Sequence, residues 1–178
     1  NISNNSRLLI TWEAGSGKSI IASIIYNSTE KHDLPFITLN TNNKTEQQIT
    51  KEILADNSIV NKINEGVIYI KEITNLNLQQ QNTLSKLIHN NKTKIKLITS
   101  TVKDIDKLVQ DGQFSHYLYD CLKISHIHID PIRKRKEDIL PLFQYFYNKI
   151  IKQMGYKSIK ISDKTTFILT DYDWPGNV

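Results

Sequence analysis

The sequence is poor in the residues that staple or punctuate small folds. Its single cysteine, Cys121, excludes an internal disulfide and suits a reducing compartment. Six glycines and four prolines in 178 residues leave little room for a loop-rich or collagen-like chain. No apolar run approaches the ~18 residues of a membrane span, and no signal peptide opens the chain. The expected compartment is therefore the cytoplasm, with no membrane partner. The chain starts "NISNNSRLL" without an initiator Met and stops at "DYDWPGNV", so it is expected to be a piece of a larger protein.

What is present is ordinary globular material. The chain is 39% hydrophobic and 23% charged, enough to bury a core in one domain or in one domain and part of a second. Twenty-three Lys+Arg against 18 Asp+Glu give a net charge of +5. That balance permits contact with phosphate or nucleic acid without requiring it.

Short apolar runs alternate with helical patterns. "RLLITW" (7–12), "PFITLN" (35–40), "GVIYI" (66–70), "KIKLITS" (94–100) and "KISHIHI" (123–129) read as strands. Between them lie helical stretches. "KSIIASIIYNSTEK" places Ile20, Ile21, Ile24 and Ile25 on one face. "KTEQQITKEIL" (44–54) and "LQQQNTLSKLIHN" (78–90) are helical, and two short pieces follow near Asp104–Gln110 and Phe114–Leu122. This alternation predicts an α/β fold with a five-stranded parallel sheet flanked by helices. After Pro131 the pattern turns helical. Apolar residues at Ile139, Leu142, Phe143, Phe146 and Ile150 predict a long helix, and Ser162 is a candidate N-cap for another. The expected division is residues 1–130 as core and 131–178 as the start of a helical subdomain.

The strongest chemical signal is "GSGKS" (15–19), set between a strand and a helix as a phosphate-binding loop requires. Backbone N–H groups of such a loop point at phosphates, and the helix N-terminus adds positive potential. The expected nucleotide-binding residues are Glu13, Ala14, Gly15, Ser16, Gly17, Lys18, Ser19 and Ile20. Lys18 reaches the outer phosphates and the Ser19 hydroxyl ligates magnesium. The full pattern wants a glycine where Trp12 stands, and a tryptophan brings bulk to the loop entrance. The second signal is "GVIYIKE". Two acids usually follow such a strand, one for magnesium and one to polarise the attacking water. Here Lys71 takes the first place and Glu72 the second. An ammonium there removes a ligand and repels the ion. Lys71 either reaches solvent or pairs with Glu72, or else it touches a phosphate oxygen in place of metal. His126 and His128 share a strand face and could in principle share a metal, but no acid or cysteine partner is evident, so a structural role is expected. "RKRK" (133–136) opens a helix, and a surface role is expected for it before DNA binding.

These stretches together resemble the central AAA+ ATPase domain of NtrC-like enhancer-binding transcriptional activators, which remodel RNA polymerase bound to the nitrogen-type sigma factor. "EAGSGKS" is similar to that family's G-E-x-G-x-G-K loop, and "EGVIYIKEITNLNLQQQNTLSKLI" to its G-G-T-L-F-L-D-E-I segment and following helix. "FSHYLYDCL" resembles its arginine-finger motif F-R-x-D-L-Y-x-R-L, and "YDWPGNV" its lid signature W-P-G-N-V-R-E-L. The match runs from about Arg7 to Val178. The resemblance implies an AAA+ P-loop fold with the start of a C-terminal lid. It implies ATP or ADP as ligand with magnesium on Ser19, and Glu72 as the catalytic glutamate. It also implies ring-like homo-oligomers, RNA polymerase or other transcription proteins as partners, and DNA contact through a segment absent from this chain. The same alignment puts Lys71 at the magnesium-binding acid, Val102 at the sensor asparagine, and Ser115 and Cys121 at the two finger arginines. The family's G-A-F-T-G-A loop, which touches the sigma factor, has no counterpart between the second and third strands. A pseudo-ATPase that binds nucleotide and hydrolyses it weakly or not at all is therefore expected. A working ATPase with displaced residues and a nucleotide-free interaction module are the alternatives.

Overall fold

The computed structural model describes residues 7–13, 15, 18–27, 34–55, 57–63, 65–89, 94–157 and 160–177, without the side chains of 18–20, 59, 61 and 94. They form two compact units. Residues up to Ile129, other than Glu13 and Gly15, make the first; Glu13, Gly15 and everything from Asp130 make the second.

The first unit holds five strands: β1 (Arg7–Trp12), β2 (Phe36–Asn40), β3 (Glu65–Lys71), β4 (Lys94–Thr101) and β5 (His126–Ile129). They pair in the order β2-β3-β4-β1-β5, and every pairing is parallel. Parallel strands need helical crossovers and are covered on both faces, which is why their sequences read as apolar runs and not as strict alternation. One face buries Leu9, Leu39, Ile68, Ile70 and Leu97 against α4 (Leu78–His89), α6 (His116–Leu122) and the helical turns following Thr45. The other buries Leu8, Ile10, Trp12, Val67, Tyr69 and Ile98 against Ala22, Ile21 and Ile25 of α1 (Lys18–Asn27). Fully buried side chains of this kind stabilise by about 1.5–3 kcal/mol each.

Strand boundaries fall within a few residues of those expected, with β5 beginning only at His126. In α1, Ala22 is buried while Ile24 is exposed, so the apolar face lies over the small residue. The stretch 44–54 is not one regular helix. Thr45 caps α2 (Glu46–Ile49) through a reciprocal capping box with Gln48, and the chain then widens into a π-helical turn (Thr50–Leu54) that sinks Ile53 and Leu54 into the core. A short α3 (Ile59–Lys62) follows, too short for its periodicity to show in the sequence. Asp104 caps α5 (Ile105–Gln110).

In the second unit two single 3-10 turns, Ile132–Lys134 and Lys136–Asp138, precede α7 (Ile139–Met154), which ends on the left-handed Gly155. Pro141 is tolerated because it sits in the first turn, where its missing N–H has no partner to lose. Ser162 does cap α8 (Asp163–Asp171), accepting the Thr165 N–H. Of the apolar residues expected to line α7, Ile139 is buried and Leu142 and Phe143 are half-buried, whereas Phe146 and Ile150 are exposed.

Candidate functional site

In open parallel sheets ligands bind beyond the carboxyl ends of strands, where the connections diverge to opposite sides. β1 is such a place: its neighbours are β4 and β5, while its own chain leaves toward α1. The connection from Trp12 to Lys18 is the glycine-containing stretch singled out above. Ala14, Ser16 and Gly17 lie outside the described residues. Lys18, Ser19 and Ile20 form the first turn of α1, and their side chains lie outside as well. The helix has ten residues and no acid in its first turn, so nothing on it offsets the positive end of its dipole.

Trp12 is a core residue. It is the last residue of β1, 3% exposed, paired with Ile129 and packed in the core on the α1 face. The strand alternation that puts Leu8 and Ile10 on that face carries Trp12 with them.

Gly15 has φ +84°, and a Cβ built on it would lie 1.9 Å from the Gly176 carbonyl oxygen. Both the backbone angle and the close approach require glycine here. Gly15→Ala is expected to cost about 2 kcal/mol or more, from the left-handed penalty and the displaced carbonyl. A thermal melt beside wild type measures it.

Glu13 is held by Arg133, whose two terminal nitrogens each donate to one carboxylate oxygen, Nη1 at 2.6 Å. Asn177 adds a side-chain hydrogen bond to the same carboxylate. The Arg133 guanidinium first of all holds the Glu13 carboxyl below the usual carboxylate range; desolvation opposes it, and Asn177 and the charge of Lys134 add smaller lowering effects. Sequence reading gave "RKRK" a general surface role. Within that partly exposed stretch two members also have specific partners, Arg133 with Glu13 and Arg135 with Asp138 at 3.2 Å. The spacing of charges along one segment carries no signal for a partner this far away in sequence.

At the end of β3, Lys71 places its ammonium 5.6 Å from the Tyr69 ring centroid, within cation–π range. Residues 69 and 71 share the strand face that packs on α1. Tyr69 donates to Ser100 Oγ at 3.1 Å. Burial chiefly pushes its phenol pKa up. Glu72 follows in a left-handed conformation (φ 55°, ψ 58°) and is 4% exposed. Its backbone is pinned by Thr41, whose hydroxyl lies 2.9 Å from the Lys71 carbonyl and 2.7 Å from that of Glu72. Its carboxylate accepts the Val102 N–H at 3.1 Å. Position 102 thus reaches Glu72 through the backbone, while its apolar side chain faces solvent. Thr41 was missed in the sequence because a lone threonine past a strand end has no pattern.

On α6, Ser115 is the N-cap, its hydroxyl accepting the Leu118 N–H, and Cys121 is half-buried. The Ser115 N–H donates to the wholly buried Gln81. His126 and His128 do share a face: Nε2 of the first and Nδ1 of the second lie 2.8 and 3.0 Å from the Thr11 hydroxyl. Burial, then the positive charges of Lys123 and His128, lower the His126 pKa and favour its neutral form, with Asp106 opposing. Among the described residues no three His, Cys, Asp or Glu side chains gather as a metal cluster, and no helix is long and apolar enough to cross a membrane.

Sheet order, loop position and strand-end acid define an AAA+ P-loop fold followed by a lid helix. Residues 2–132 match the family model described as the Sigma-54 interaction domain, residues 133–178 match the AAA+ ATPase lid domain, and the chain belongs to the sigma-54 interaction domain family. It is 31% identical to a putative response regulator NtrX-like of Rickettsia felis, over 99% of this chain and 41% of that protein. It is 26% identical to the DNA-binding transcriptional regulator NtrC of Salmonella typhimurium, over 96% of this chain and 41% of that protein. The crystal structure of NtrX from Brucella abortus in complex with ADP superposes with a TM-score of 0.88 at 25% identity, covering 97% of this chain and 43% of that one. The chain spans about two fifths of the length of these relatives.

Proposed function

We propose that this chain binds ATP or ADP through Glu13–Ile20 and serves as the nucleotide-responsive domain of a cytoplasmic bacterial transcriptional regulator, with hydrolysis weak or lost. The observation that carries this reading is the passage from β1 through a left-handed Gly15 into α1, at the carboxyl edge of the parallel sheet. That is the arrangement in which backbone N–H groups and a helix N-terminus cradle phosphates. The ADP held by the Brucella NtrX structure agrees with it. Lys18 neutralises the outer phosphates, and Ser19 ligates magnesium where magnesium is bound.

Loss of turnover follows from what stands at the chemical positions. Lys71 supplies a cation where the family places a magnesium-binding acid, and Ser115 and Cys121 stand at the finger arginines. Glu72 retains the place of the catalytic glutamate. The division proposed is a nucleotide-binding core through Asp130 and a lid beginning at Pro131. RNA polymerase or other transcription proteins, DNA through another segment, and further copies of the chain are the proposed partners of the full-length protein.

Calorimetry with ATP and ADP, with and without Mg²⁺, and phosphate release followed in parallel, tests this. Binding without release is the expected result, with Lys18→Ala weakening affinity about ten- to a hundredfold, as loss of one charge-assisted contact should. Rapid release would favour a working ATPase with displaced residues. Absence of binding would favour an interaction module.

A further inference from the structure

Glu13 and Gly15 belong to the compact unit that begins at Asp130. Three contacts hold them there: the two-pronged Arg133 bridge, the Asn177 hydrogen bond, and the packing of Gly15 against the Gly176 carbonyl. Asn177 is itself built in. It is 6% exposed and left-handed at φ 59°, its Oδ1 accepts the Ile132 N–H at 2.9 Å, and its own N–H donates to the Trp174 carbonyl at 2.8 Å. The Trp174 indole in turn donates to the Leu169 carbonyl of α8 at 2.8 Å. A chain of contacts therefore runs from Glu13 through the Trp174–Asn177 turn to α8.

We propose that Arg133 and Asn177 are positioning residues for the nucleotide: with Glu13 they form a latch that pre-orders the phosphate loop and cancels the loop's own negative charge. The proposal rests on the nucleotide reading above. Ordering a residue's backbone costs roughly 1–2 kcal/mol, and a loop ordered before the ligand arrives does not take that cost out of the binding energy. The charge argument is separate. A carboxylate in a phosphate-binding loop repels the ligand unless a cation occupies it, and the Arg133 fork occupies both oxygens. Arg133 and Asn177 lie far from the loop in sequence, so a scan of "GSGKS" alone would miss them.

A double-mutant cycle on the 178-residue chain tests the latch. ATP affinity is measured by calorimetry for wild type, Glu13→Gln, Arg133→Gln and the double variant, with Asn177→Ala as an independent probe. Arg133→Gln should weaken ATP about tenfold, while its melting temperature shifts by about 5 °C or less because the bridge is at the surface. In the Glu13→Gln background the same change should cost less than about twofold. Asn177→Ala should weaken ATP as well. Unchanged affinity in Arg133→Gln, or effects of the two substitutions that simply multiply, would overturn the proposal. If wild type binds no ATP, the nucleotide reading fails by itself. The latch is then read from amide hydrogen exchange at Gly15: faster exchange in Arg133→Gln sustains it as an ordering device, and unaltered exchange overturns it.

Discussion

Gln81→Leu is expected to destabilise the chain by about 2–4 kcal/mol, from the desolvation of backbone groups left without partners. Gln81 is wholly buried in α4, on the face that covers the sheet. Its Nε2 donates to the Leu76 carbonyl at 2.7 Å and to that of Gln113 at 3.3 Å, and its Oε1 accepts the Ser115 N–H at 2.6 Å. One amide thus ties the strand-end turn to the start of α6. Leucine fills the same volume but satisfies none of these groups. Gln113 is exposed and can turn to water, whereas Leu76 is 3% exposed and cannot. Against a total stability of about 5–15 kcal/mol the loss is large. At this chain length it should lower the melting temperature by about 5–15 °C. Gln81→Glu should be no milder, since it keeps the acceptor for Ser115 while presenting charge to the Leu76 carbonyl. Thermal melts of both variants decide the matter, and a loss below about 1 kcal/mol would mean that water reaches the site.

The parallel sheet was legible because its signal is local and repeated. Five apolar runs separated by helical stretches leave few topologies, and burial on both faces is written into Val67–Ile70 as unbroken apolar sequence. The details that escaped depend on neighbours distant in sequence. The π-helical turn at Thr50–Leu54 follows from which residues the core admits, not from propensity. The 3-10 turns before α7 occupy a basic stretch whose periodicity looked continuous with the helix behind it.

The site divides in the same way. A glycine-rich loop between strand and helix announces itself, because φ > 0 and close approach leave so few residue types. Gly15 meets both demands. Trp12 looked like an obstruction when counted along the motif. In the fold it is the last core residue of β1, since alternation along a strand decides a side chain's face regardless of motif spacing. Thr41, Arg133 and Asn177 had no legible role, because a single polar residue acquires one only when the fold brings its partner.

On the proposed assignment of Lys71, Ser115 and Cys121, placing the family's acid and arginines there should produce the largest change in activity. In Lys71→Asp with Ser115→Arg and Cys121→Arg, phosphate release in the presence of Mg²⁺ is expected to rise by about 10³ or more, the usual worth of an arginine finger supplied between subunits. The structure sets conditions on that gain. Ser115 now caps α6, so the arginine removes the acceptor of the Leu118 N–H at about 1 kcal/mol. Cys121 is half-buried, and an arginine there must run its stem along apolar surface to bring the guanidinium to solvent. Lys71→Asp gives up the cation over Tyr69 and sets a second carboxylate beside Glu72, which is favourable only with Mg²⁺ between charges of the same sign. Lys71→Asp alone should therefore make ATP affinity depend on Mg²⁺ without raising turnover. Because fingers act across subunits, the rate per chain of the triple variant should climb with protein concentration. A rate that stays flat while Mg²⁺-dependent binding returns would place the missing function in assembly. A full rate from Lys71→Asp alone would show that the fingers had never been needed.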